Sequence, residues 1–172
     1  NSAAVAKSLA LGNATSLLTT LTISGTNSLT ITNGLSINPS AVAKNFDIQI
    51  GAGSLTVGAG ITYAANRTST IAISTGTLTV ANLITLGASD VLSFSGAGTA
   101  NLNGGLDDGA GTLTLFSGCT VAIGGNYTVS GTASTWTSGS NAVFKGNSTI
   151  TPNVAITFDN VQVNSGVIVT LA

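Results

Sequence analysis

The chain has 172 residues, enough for a single domain with a sizeable core. Only 5% of them are charged, against about 25% in ordinary soluble domains, and the net charge of −1 gives no attraction for nucleic acid or an anionic membrane surface. There is no His, which excludes a Ser-His-Asp triad, a Cys-His pair and any His-containing zinc site.

Along the chain one pattern recurs: a short stretch alternating apolar and polar residues, closed by Gly, Asn or Ser. It begins with SLALG (8–12), TLTISG (20–25), SLTITNG (28–34) and FDIQIGAG (46–53). A single short helix is expected around Ser40 to Lys44. The pattern resumes with SLTVGAG (54–60), TIAISTG (70–76), TLTVAN (77–82), LITLGAS (83–89) and VLSFSGAG (91–98). It ends with TLTLFSG (112–118), TVAIGGN (120–126), ITFDN (156–160), VQVNSG (161–166) and VIVTLA (167–172). Period-two alternation marks strands, and Val, Ile and Thr suit a pleated surface. The glycines supply turns.

The units often recur at about 7 residues, shorter than the 8–12 expected between turns of antiparallel sandwiches. Three units make a coil of roughly 20–23 residues. The fold expected is therefore all-β: one right-handed parallel β-solenoid over residues 1–172, with about eight short coils and a rod roughly 40 Å long. A β-sandwich is the alternative. A membrane barrel fits poorly, because its strands need about 9–11 residues and aromatic girdles, whereas the aromatics here are few and scattered.

No stretch reaches the roughly 18 apolar residues of a membrane helix. Asn1 opens a polar-apolar alternation rather than a basic leader. Both ends read as interrupted strands, so a processed subunit or a segment of a larger chain is expected. A lone Cys119 has no partner for an internal disulfide and reads as a small buried hydrophobe.

Two segments carry a resemblance, TFDNVQVNSGVIVTLA (157–172) and KSLALGNATSLLTTLTISGTNSLTITNG (7–34). They resemble the strand repeats of bacterial extracellular surface proteins, similar to autotransporter passengers and filamentous-haemagglutinin-like adhesins. That resemblance implies a secreted or cell-surface β-solenoid with a structural, adhesive or filament role. It carries over no catalytic residue.

Carboxylates are the remaining route to catalysis, which would make the chain a polysaccharide-cleaving β-helix enzyme, a less favoured alternative. Asp90 lies 17 and 18 residues before Asp107 and Asp108, near one coil, so an acidic stack is conceivable on spacing. No Lys or Arg lies between Arg67 and Lys145 to support it, and Asp107-Asp108-Gly109 reads as a turn. GGLDDGAGTLTL (104–115) resembles a calcium-binding nonapeptide, but its Gly and Asp offsets are wrong and it occurs once. The GAG triplets lack the lysine and helix of a phosphate loop. The expectation is no enzyme activity, no metal and no cofactor.

Candidate sites are thus surfaces. Leu9, Leu11, Val167, Val169 and Leu171 are expected to form unpaired terminal edges that join copies head to tail. Trp136, Tyr63 and Tyr127 are the candidate contacts of a carbohydrate-binding adhesin, the alternative function. Asn13, Asn66, Asn126 and Asn147 open sequons. Thr-X-Thr pairs at Thr20/Thr22, Thr30/Thr32, Thr77/Thr79 and Thr112/Thr114 suggest an ice-binding face, although their spacings of 10, 47 and 35 residues are irregular. The expected function is a structural subunit of an extracellular filament or surface layer. Its partner is a second copy of itself, with surface carbohydrate as the other candidate; neither nucleic acid nor membrane insertion is expected.

Overall fold

The computed structural model describes residues 1–12, 18–37, 45–64, 67–131 and 134–172. The helix expected around Ser40 to Lys44, and the sequon residues Asn13 and Asn66, lie outside the described residues. Within them the chain is all-β and without helix. Strands follow one another around three parallel sheets, so that each coil lays one strand on each sheet in turn. The result is a β-solenoid of about seven turns.

The first sheet holds eight strands: Ala3–Ala6, Ser28–Ile31, Ser54–Val57, Thr77–Val80, Thr99–Leu102, Thr120–Ile123, Asn141–Phe144 and Asn160–Val163. The second also holds eight: Leu9–Leu11, Leu35–Ile37, Ile61–Tyr63, Ile84–Thr85, Leu106–Asp107, Tyr127–Val129, Ser148–Pro152 and Val169–Leu171. The third has six: Leu18–Ile23, Asn45–Ile50, Thr68–Ile73, Val91–Ser95, Thr112–Leu115 and Thr135–Trp136, followed by a single bridge from Thr135 to Thr157.

Register gives the coil length directly. Ala3 pairs with Ser28, Ser28 with Ser54, Ser54 with Thr77, Thr77 with Thr99, Thr99 with Thr120, Thr120 with Asn141, and Asn141 with Asn160. The steps shorten from 25 and 26 residues at the start to 21, 21 and 19 at the end. The expected eight coils become about seven, because the first coils are longer than the assumed 20–23 residues. At about 4.8 Å per strand, the seven spacings of the first sheet make a rod about 34 Å long.

Period-two alternation explains what each strand buries. In Thr77–Val80, Leu78 and Val80 are fully buried and the threonines face outward. In-register pairing then stacks like on like. One inward file of the second sheet runs Leu9, Leu35, Ile61, Ile84, Leu106, Tyr127, Ile150, Leu171 from one end of the molecule to the other. The corners keep the ladder too: Gly58 N–H donates to Ile31 O at 2.7 Å, and Gly124 N–H to Leu102 O at 2.8 Å. Coils this close leave no room for side chains at certain corners. A Cβ on Gly53 would overlap the carbonyl oxygen of Asn27, and Gly96, at φ +90°, lies against Ile73 O of the preceding coil.

Leu78→Ala, in the middle of the stack, should destabilise the fold by about 2–5 kcal/mol. Leu171→Ala, at the uncovered end, should cost under about 0.5 kcal/mol. Denaturant unfolding of the two variants beside the parent chain checks this contrast.

Candidate functional site

Burial decides the fate of the polar residues. Asp90 and Asp108 do not stack: Asp108 follows Asp107, which pairs with Thr85 at the end of a second-sheet strand, whereas Asp90 immediately precedes Val91, which pairs with Thr112 at the start of a third-sheet strand. Each carboxylate instead ties a corner. Asp90, 1% exposed, accepts the backbone N–H of Arg67 at 2.8 Å and of Gly87 at 2.8 Å. Asp107 accepts the N–H of Gly109 at 2.9 Å, which makes the expected turn. Asp108 is fully buried; it accepts the Ser134 hydroxyl at 2.8 Å and the Ser130 N–H at 3.0 Å.

Ser134 in turn accepts the Tyr127 hydroxyl at 2.6 Å. The Tyr127–Ser134–Asp108 chain joins two successive coils through the interior. Tyr63 and Ser69 repeat part of it, oxygen to oxygen at 2.8 Å. Burial raises the Asp108 carboxyl above 3.8, against the lowering effect of its two donors, and Asp107 raises it further. Burial pushes the Tyr127 phenol up to about 12 and the Cys119 thiol up to about 11. The buried Cys119 thiol therefore stays protonated near neutrality, as expected of a core residue. Among the described residues no three metal-binding side chains cluster.

The aromatics expected as sugar contacts line the core instead. Tyr127 is fully buried and Trp136 is 7% exposed, while Tyr63 packs partly buried against the core. Trp136 lies 4.9 Å from Phe158 in an edge-on contact, and Phe158 also meets Tyr127 and Phe144. Trp136 sits inside because it occupies an inward position of the third sheet, next in file after Leu115. Asn126 and Asn147 are exposed at corners. Their side-chain oxygens accept backbone N–H groups of the next coil, Thr149 at 3.0 Å and Ile168 at 2.9 Å.

The two ends differ from the middle. Val161 and Val163 continue the inward file of Ala142 and Phe144, and Leu171 continues that of Ile150. No described strand stacks beyond them, and Val161 is 54%, Val163 46% and Leu171 74% exposed. Ile168 is exposed at the corner between them. Val167 and Val169 are half-buried, and Leu11 is buried, paired with Ile37 of the next coil. Of the five residues expected at the edges, Leu9 and Leu171 prove to be opposite ends of one file. The pattern of alternation alone did not single out Val161 and Val163; their inward register did. Beside this end, where the third sheet thins to one bridge, Ile150, Pro152, Val154, Ile156 and Phe158 line an apolar cavity of about 490 Å³.

Comparison with protein-family models, with curated proteins and with solved structures finds no match for this chain. No helix among the described residues is long and apolar enough to cross a membrane.

The corner network yields a pH prediction. A carboxyl whose folded pKa is raised holds its proton more tightly in the folded than in the unfolded chain. Its contribution is greatest below 3.8 and is lost as pH rises through the folded value. Asp108→Asn keeps an acceptor for the Ser130 N–H without the charge. Its melting temperature should exceed that of the parent chain by a margin that grows from pH 3.8 toward neutrality, read by thermal denaturation across that range.

Proposed function

We propose that this chain is a structural subunit of an extracellular filament or surface layer that grows by head-to-tail stacking of identical solenoids. One observation carries the reading: Val161, Val163 and Leu171, inward in register, are exposed at the last described coil. Leu171 ends the file that Leu9 begins, so a second copy placed on the same axis sets Leu9 over Leu171. It also sets Ala4 and Ala6, which begin the inward files of the first sheet, over Val161 and Val163. Small residues on one side meet larger ones on the other. The edge backbone groups of Asn160–Val163 and Val169–Leu171 gain partners by strand addition. A contact that repeats along an axis without closing generates a fibre.

The near-absence of charge favours this arrangement. With four cations and five anions in 172 residues, stacked copies repel one another little. The resemblance to bacterial surface repeats points to the same setting, outside the cell. The adhesin reading has less support, because the aromatics that would contact sugar are in the core.

Electron microscopy of the purified chain should show filaments at high concentration. Val163→Lys with Leu171→Lys places two charges in the joint, where burial without partners costs several kcal/mol. That variant should remain dispersed while keeping its melting temperature, since both sites are exposed in the single molecule. Filaments of undiminished length from the double variant, or none from the parent chain, would count against the proposal.

A further inference from the structure

Register redistributes the threonine pairs. Thr77/Thr79 lies on the outer face of the first sheet, Thr20/Thr22 and Thr112/Thr114 on the third, and Thr32 falls beyond its strand. The outer face of the first sheet nevertheless forms a grid that spacing along the chain conceals. Ser28, Ser54, Thr77, Thr99 and Thr120 make one unbroken file of hydroxyls. Thr30, Thr56 and Thr79 make a second, parallel file, continued by Asn101.

Neighbours within a file are about 4.8 Å apart, and the two files are roughly 6.6 Å apart along the strand. The five strands pair residue for residue, so the grid does not slip. Its five strands carry no ionisable group; Lys145, which follows the strand two coils on, reaches back with its Nζ donating to Asn101 Oδ1 at 2.8 Å. None of these eight hydroxyls is hydrogen-bonded to another described residue. They are half-exposed and their bonding capacity is free for solvent.

We propose that this face binds ice. A surface of crystalline water presents oxygens at fixed repeats along two perpendicular directions, of the same order as those of the grid. Hydroxyls at such positions can replace lattice waters, while the threonine methyl groups between them hold neighbouring waters away from the bulk arrangement. The hydroxyl files carry no charge of their own, and the Lys145 ammonium beside them is already held by Asn101. A crystalline polysaccharide finds no aromatic platform, since no Phe, Tyr or Trp occupies an outward position of these five strands. What is left for the face to order is water.

The test is to grow single ice crystals, and to anneal polycrystalline ice, in the presence of the purified chain. The parent should facet the crystals and suppress coarsening. Thr56→Tyr with Thr79→Tyr interrupts both directions of the grid and should abolish both effects. Thr114→Tyr, outward on the third sheet, should keep them. Circular dichroism confirms that all three chains fold. Unfaceted crystals with the parent chain, or equal loss from Thr114→Tyr, would overturn the proposal. So would co-sedimentation of the parent with microcrystalline cellulose or chitin that is itself lost in the Thr56/Thr79 variant, which would reassign the face to sugar.

Discussion

Everything in this molecule depends on parallel strands stacking in register, coil upon coil. Because each inward residue lies directly on the inward residue of the next coil, the core is a set of continuous files rather than a cluster around a centre. Ile48 lies on Ile71, Ile71 meets Phe94, and Phe94 meets Leu115. Each apolar side chain is buried by its neighbours along the axis, worth about 1.5–3 kcal/mol apiece. No charge is needed to hold the stack. The same constraint explains why Val161, Val163 and Leu171, inward residues with no described coil stacked beyond them, are exposed.

The corners supply the precision that files of aliphatic residues lack. Leu, Ile and Val pack tolerably in more than one register. A buried carboxylate does not, because its hydrogen bonds must be met in full. Asp90 and Asp108 each fix the entry of the chain into the third sheet, and Asn126 and Asn147 cap the backbone where it enters or approaches the second. These corner groups thus sit where a slip of one residue would leave them unpaired.

Much of the architecture was legible in the sequence. Alternation in segments such as SLTV and TLTV identified strands, their inward residues and the glycine turns, and close spacing argued for a solenoid over a sandwich. Coil length was less legible, because the early coils are longer than the later ones and three units of about 7 residues average over the difference. Register was not legible. It determines that Thr30 joins Thr56 and Thr79 on one face while Thr112 and Thr114 lie on another. It also turns Trp136 and Tyr127 into core residues, and leaves Val161 and Val163 bare. Each of these depends on which residue lies above which, and a chain whose coils differ in length does not declare that by counting.

Distances along one outward file test the stacking most directly. Ser28, Thr99, Thr120 and Asn141 lie on the first strand position of successive or near-successive coils. Pairs of nitroxide labels at Ser28 with each of the other three, with the buried Cys119 replaced by Ala, can be measured by pulsed electron spin resonance. Stacked coils predict separations that climb evenly, to about 14, 19 and 24 Å between backbones. Separations that fail to rise with coil number, as in a sheet folded back on itself, would contradict the account.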